Sequence, residues 1–143
     1  MTKITRISPA EAQAKMKDEG FTYVDVRTEE EFVAGHPEGA VNVPWTFAGG
    51  APNPDFLAVM EGAFEKNAPI VLGCRSGNRS MRAAEALIPA GFTNLLEQRA
   101  GWDGAKGTFG ETAEPGWGRI PLPSEMGAPA DRSYAAMRAK KKT

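Results

Sequence analysis

The chain has one cysteine and one histidine in 143 residues. A single cysteine excludes an intramolecular disulfide, and with only His36 beside it there is no Cys/His metal cluster. A lone free thiol suits a reducing compartment, so a cytoplasmic location is expected. Charge of one sign is also missing: 17 Lys and Arg balance 18 Asp and Glu, for a formal net charge of -1. That gives no general electrostatic case for nucleic acid or a membrane surface as partner. Long apolar runs are absent. The longest, Phe56-Leu-Ala-Val-Met60, is far too short to cross a bilayer. Met1 to Ile7 lacks the apolar stretch of a signal peptide, and none is expected. What remains is an ordinary globular composition, 41% hydrophobic and 24% charged, at a length that fits one domain with a full core.

The first two thirds alternate helix and strand signals. Ser8-Pro9-Ala10-Glu11 is a capping box with proline at the first helical position, and Gly20 is placed to end that helix. Phe21 to Val26 reads as a strand, being β-branched and aromatic. Thr28-Glu-Glu-Glu31 opens a second, short helix that Gly35 stops, and Ala40 to Val43 is a brief strand closed by Pro44. Asn53-Pro54 starts a helix whose Phe56, Met60 and Phe64 share a face. Ile70-Val-Leu72, between Pro69 and Gly73, has the look of a central buried strand. Ser80 to Ile88 reads as a helix with Ala84, Leu87 and Ile88 inward, ended by Pro89 and Gly91; Phe92 to Leu96 reads as one more strand. Alternation at this spacing argues for an α/β domain with a mainly parallel sheet.

The pattern changes near Lys106. Gly107 to Thr143 holds five glycines and four prolines, and is expected to be an irregular extension of a domain spanning 1–106. Phe109, Trp117, Ile120 and Leu122 are its candidates for packing on that domain. Asp131 to Lys142 is a possible terminal helix, with Arg138 and Lys140 to Lys142 favourably placed at its end. That basic run is read as a solvated chain end.

The chemistry is concentrated in Cys74-Arg-Ser-Gly-Asn-Arg-Ser80. Here a buried strand ends, a tight loop begins and a helix follows. Ligands of open α/β sheets collect beyond the carboxyl ends of strands. A loop entering a helix presents unpaired N–H groups and the positive end of the dipole, a nest that favours an anion. Gly77 and Asn78 are types that tolerate the left-handed backbone such a curl needs. A lone cysteine is more often a small buried hydrophobe than a nucleophile. Its position in this nest favours the second, with a stabilised thiolate as the reactive form. Arg75, Arg79 and Arg82 add three positive charges with no acid before Glu85, a field expected to draw an anionic donor.

At these residues the chain resembles the rhodanese family, whose active-site loop reads cysteine-x-x-glycine-x-arginine. Val24-Asp-Val-Arg27, Glu31-Phe32 and Gly35-His-Pro-Glu-Gly-Ala-Val-Asn-Val-Pro44 are similar to its N-terminal signature. Gly91-Phe-Thr-Asn-Leu95 and Gly101-Trp-Asp-Gly104 are similar to its C-terminal one. The resemblance spans roughly residues 5 to 106. It implies a rhodanese-like domain with a five-stranded, mainly parallel sheet flanked by helices. It also implies a sulfurtransferase without cofactor or metal, of the thiosulfate:cyanide type, working through a Cys74 persulfide. The donor would be a small anion such as thiosulfate; the acceptor a thiol, cyanide or a protein cysteine. Arg75, Ser76, Gly77, Asn78, Arg79 and Ser80 would form the binding loop, with Arg75 at the mouth and Arg79 bracing the loop. Asp25 and Arg27 would give structural support, and Trp102 would be core.

Related phosphatase and arsenate-reductase domains carry one more residue between cysteine and arginine. Four residues separate Cys74 from Arg79, a ring suited to a single sulfur atom. His36, in a Gly-His-Pro turn, is expected to pack the loop, while Trp45 and Trp117 are open between core and pocket mouth. A second reading is a low-turnover sulfur carrier or a partner-recruiting module, which would keep the same cysteine.

Overall fold

The two capping boxes form as the sequence dictates. The Ser8 hydroxyl accepts the Glu11 N–H at 3.1 Å while the Glu11 carboxylate accepts the Ser8 N–H at 2.9 Å; Thr28 and Glu31 repeat the exchange at 3.1 and 3.0 Å. The computed structural model describes residues 4–140, so Met1 to Lys3 and, from the basic run, Lys141 and Lys142 lie outside it. In chain order the elements are β1 (Thr5–Ile7), α1 (Pro9–Glu19), β2 (Thr22–Asp25), α2 (Glu29–Ala34), β3 (His36–Pro37), β4 (Val41–Asn42) and α3 (Phe56–Ala63). They continue with β5 (Ile70–Gly73), α4 (Asn78–Leu87), β6 (Leu95–Gln98), β7 (Gly104–Lys106), β8 (Thr112–Pro115), a 3-10 turn (Trp117–Arg119), β9 (Ser124–Glu125) and α5 (Tyr134–Ala139).

Five strands form one sheet in the order β1-β6-β5-β2-β4, and every neighbouring pair in it is parallel. The α/β class read from the alternation of elements and the five-stranded sheet implied by the resemblance are thus both present. Alternation along the central strands supplies two cores. Val24, Ile70 and Leu72 point to one face, against Phe56, Met60, Ala83, Ala84, Leu87, Tyr134 and Met137. Tyr23 and Val71, one position along, point to the other, against Ile7, Ala12, Phe32 and Trp117. A sheet covered on both faces is the setting in which all-parallel pairing is found. Each fully buried leucine or isoleucine contributes about 1.5–3 kcal/mol.

Several boundaries differ from the sequence reading, each for a local reason. The helix expected from Asn53-Pro54 starts at Phe56, because the Asn53 side chain accepts the Asp55 N–H at 2.9 Å and holds a turn ahead of it. The strand expected over Phe92 to Leu96 is Leu95–Gln98; the Phe92 N–H bonds the Leu87 carbonyl at 3.2 Å and closes α4 instead. Helix α4 begins at Asn78, two residues before Ser80, and Ile88 is only half-buried. The terminal helix is Tyr134–Ala139, shorter than the span 131–142.

The C-terminal segment is drawn onto the domain. Strand β8 pairs with β7 and β9 with β3, both antiparallel. Trp117 is buried edge-on against Tyr23, with ring centroids 5.6 Å apart. Leu122 packs against the same core, and Ile120 is half-buried. Phe109 does not pack: at the tip of the β7–β8 ribbon it is 93% exposed. Helix α5 completes the opposite core, where the Tyr134 hydroxyl accepts from the Asn53 amide at 2.9 Å.

Candidate active site at the end of the central strand

Strand β5 is the middle of the five, and Cys74 follows its last residue with only 2% of its surface exposed. The chain then turns through Gly77, which caps α4 with φ 102°. That left-handed value is what glycine supplies at no steric cost. Asn78, grouped with it in the sequence reading, does not share the conformation: no described non-glycine residue has positive φ. The turn aims the Gly77 N–H at the Cys74 sulfur, 3.1 Å away, and α4 brings the Ser80 hydroxyl to 3.3 Å. The N-terminal end of α4 adds partial positive charge at the same place. Ser76 is half-buried, and Asn78 is exposed.

Two clasps hold this loop from below. The Trp102 N–H donates to the Cys74 carbonyl at 2.8 Å and the Asp103 N–H to the Arg75 carbonyl at 2.9 Å. Gly101 allows the approach, since a Cβ there would lie 2.5 Å from both carbonyl oxygens. In turn, the Trp117 N–H donates to the Gly101 carbonyl at 2.8 Å and the Gly118 N–H to that of Trp102 at 3.1 Å. The C-terminal segment thus supports the cysteine loop from beneath, and Trp117 is core. On the far side, a Cβ at Gly73 would collide with the Tyr23 hydroxyl, which accepts from the Gln98 amide at 3.1 Å. Gln98 also bonds the backbone of Ala100 and Gly101. Burial, and then the Asp25 charge, push the Tyr23 hydroxyl up, so it stays protonated.

The arginines are less free than their sequence neighbourhood implied. Arg79 makes a two-pronged pair with Glu31 at 2.7 and 3.1 Å, tying α4 to α2. Burial alone would raise the Glu31 carboxyl. The Arg79 hydrogen bond, the Thr28 N–H and the charges of Arg79 and Arg27 outweigh it and hold the group at about 2. Arg75 is exposed but bonds Asp103, while Arg82 lies exposed on α4. Carboxylates from α2 and from the turn after Gly101 therefore offset much of the field expected from three arginines in a row.

Asp25 and Arg27 lie beside the loop, at the end of β2. Both are buried, with Arg27 Nη2 2.6 Å from the Asp25 carboxylate and 2.6 Å from the Gly35 carbonyl. The Asn42 amide ties down the carbonyls of both at 3.0 Å, and the guanidinium lies 5.1 Å over the Trp102 ring. Trp102 itself is wedged between Gly35 and Gly118, where a Cβ would meet it at 2.8 and 2.6 Å. His36 is fully buried, stacked on Phe32 at 3.6 Å, its Nδ1 2.6 Å from the Phe32 carbonyl and Nε2 3.2 Å from Glu125. It packs the turn from α2 into β3 against β9. Trp45 packs edge-on against Phe56.

Residues 8–107 match the rhodanese-like domain. The chain belongs to the rhodanese-like domain family. It is 43% identical over 86 residues to Thiosulfate sulfurtransferase 16, chloroplastic, of Arabidopsis thaliana, covering 58% of this chain and 72% of that protein. It is 37% identical over 97 residues to the Senescence-associated protein DIN1 of Raphanus sativus, covering 66% of this chain and 53% of that one. The chain therefore spans little more than half the length of the radish relative. Among solved structures, the crystal structure of Rv0390 from M. tuberculosis superposes with a TM-score of 0.75 at 31% identity, covering 88% of this chain and 100% of that chain.

In this rhodanese-like domain the structure brings Cys74, Gly77, Ser80 and the bracing Arg79 together, with Asp25 and Arg27 one strand away. Sequence reasoning gave no role to Glu97. It is fully buried, accepts the Ser80 hydroxyl, and accepts Arg6 Nε on its other oxygen at 2.6 Å. The available signal was the run Leu95-Leu-Glu-Gln98: a strand that puts a carboxylate and an amide into a core must give each a partner.

Proposed function

We propose that this rhodanese-like domain is a sulfurtransferase that carries sulfane sulfur as a persulfide on Cys74. The observation that supports this most is the placing of the sulfur, buried at the end of the central strand with the Gly77 N–H 3.1 Å away and the start of α4 behind it. An anion is favoured there and water is largely kept out. The thiosulfate sulfurtransferase name of the Arabidopsis relative points the same way.

In the first half-reaction the Cys74 thiolate attacks the outer sulfur of an anionic donor such as thiosulfate. The Cys74–sulfur bond forms as the donor's S–S bond breaks, and sulfite leaves with the bonding pair. The outer persulfide sulfur, now the anion, rests among the N–H groups of Arg75 to Ser80. In the second half-reaction a thiolate, cyanide or a protein cysteine attacks that sulfur and Cys74 leaves as thiolate, a ping-pong cycle. Neither half needs a metal or a cofactor. Arg75, at the mouth, meets the donor, and Arg79 keeps the loop fixed through Glu31.

Intact-protein mass spectrometry after incubation with thiosulfate tests this, with Cys74→Ser as control. The expected result is a gain of one sulfur atom, absent in the variant and removed by cyanide. No gain with thiosulfate or with a polysulfide overturns the proposal. Loading followed by slow discharge to every small acceptor would favour the sulfur-carrier reading.

A further inference from the structure

We propose that Glu97 takes up the Cys74 proton through Ser80, so that the thiolate forms by a proton shift within a buried cluster rather than by loss of a proton to water. The inference rests on the sulfur-transfer reading of Cys74.

The argument starts from one proton. A serine hydroxyl has a single hydrogen to donate, and an ionised carboxylate can only accept. Glu97 is fully buried with the Arg6 guanidinium 2.6 Å from Oε1, and its Oε2 receives the hydroxyl of the equally buried Ser80. With that hydrogen committed, Ser80 Oγ turns a lone pair toward Cys74 Sγ, 3.3 Å away. A thiol fits this arrangement, since its S–H has an acceptor. A thiolate does not, because two electron-rich atoms would face each other in a low-dielectric interior. Forming the thiolate therefore requires the Ser80 hydrogen to reverse.

Two coupled transfers accomplish it. The S–H proton passes to Ser80 Oγ as the Oγ proton passes to Glu97 Oε2. No atom enters or leaves. The negative charge moves from carboxylate to sulfur, where the Gly77 N–H and the reversed Ser80 hydroxyl both donate to it. Glu97, now a neutral acid, donates to Ser80. The number of buried charges is unchanged, and Arg6 remains their counterion, so no second charge has to be buried. Arg6 also lies against the loop, since a Cβ at Gly77 would be 2.8 Å from its Nη2. Tyr23 from β2 and Arg79 from α4 also feel the charge on Cys74. Tyr23 is bonded to Gln98, and Arg79 to Glu31. During sulfur transfer the proton waits on Glu97, and it returns through Ser80 once the acceptor has taken the sulfur and Cys74 has left as thiolate. Glu97 never touches the reacting sulfur and acts only through Ser80.

The test is the pH profile of Cys74 alkylation by iodoacetamide in the full chain, for wild type, Glu97→Gln and Ser80→Ala. Circular dichroism confirms that each variant is folded. Only the thiolate reacts. An internal shift makes the thiolate fraction independent of pH, so the wild-type rate stays within about twofold between about pH 6 and 8. In both variants the rate climbs about tenfold per pH unit, as for an ordinary cysteine below about 8.5, and at about pH 6 it is at least about tenfold slower than wild type. A folded variant whose profile parallels wild type overturns the relay, as does a wild-type rate that itself climbs tenfold per unit. Infrared difference spectra of wild type with and without sulfur loaded on Cys74, loading being checked by mass, give a second reading that needs no change at Glu97. A protonated-carboxyl stretch that appears only in the loaded protein supports the relay, and its absence from loaded protein overturns it. Alkylation uses no sulfur donor, so failure of the relay and failure of sulfur loading are read separately.

Discussion

At the rim of the cysteine loop the Arg75 side chain is 65% exposed, joined to Asp103, with Arg119 4.0 Å from the same carboxylate. Beneath and beside the loop, charge is held differently: Asp25, Arg27 and Glu97 are buried, each bonded on more than one side. Rim pairs are screened by water and salt and are each worth about 0–1 kcal/mol, so they open readily to an incoming anion. A buried pair gains little net stability over an apolar one, but removing one partner strands the other charge. The rim is thus suited to exchanging ligands, and the underside to keeping Cys74 and its loop in one geometry.

The sharpest way to break this contrast is Asp25→Ala. Arg27 would keep the Gly35 carbonyl, the face of Trp102 and the more distant charge of Glu31, and the expected loss is about 3–5 kcal/mol in urea unfolding. A loss below about 1 kcal/mol would mean that water reaches Arg27, and that the underside is no different from the rim.

A smaller effect is expected from acid. The Glu31 carboxyl is lowered from 4.5 to about 2 by its partners against the opposing effect of burial. A carboxyl that is more acidic folded than unfolded stabilises the fold above its unfolded value, and that share disappears as pH falls through the folded one. Stability is therefore expected to drop between 4.5 and about 2. Glu125, lowered from 4.5 to about 2 first by its Arg132 hydrogen bond and also by the Gly39 N–H, His36 and the Arg132 charge, against burial, contributes over the same window. Unfolding midpoints measured across that window should fall less steeply in Glu31→Gln and least steeply in the double variant with Glu125→Gln. An unchanged slope in both would show that these pairs do not hold in solution.

What was legible in the sequence is what is local. Both capping boxes lie within four residues, the buried triplet Ile70-Val-Leu72 marks its own strand, and the loop from Cys74 to Ser80 is contiguous. What was not legible is what the sheet brings together from afar. Arg79 meets Glu31 across 48 positions and Arg75 meets Asp103 across 28, so counting acids along the chain overstated the positive field. Ser80 meets Glu97 across 17 positions, and it is the packing of α4 against β6 that makes them neighbours. Asn53 and Phe92 misplaced element boundaries because one hydrogen bond committed each backbone to a cap or turn where composition alone allowed a helix or a strand.

The least change is expected at the rim, from Arg75→Ala. The exposed pair with Asp103 contributes at most about 1 kcal/mol, so urea unfolding should shift by less than that. If Arg75 meets the donor as an open charge at the mouth, KM for thiosulfate should rise by about two- to tenfold while kcat stays near wild type, because the bond-making sulfur is held by Gly77 and Ser80. Raising the salt should shrink that difference, since screening at about 1 M confines exposed charges to about 3 Å. A fall in kcat at unchanged KM would instead place Arg75 with the underside. The loop would then be shaped from its rim as much as from below, and the contrast between the two regions would be lost.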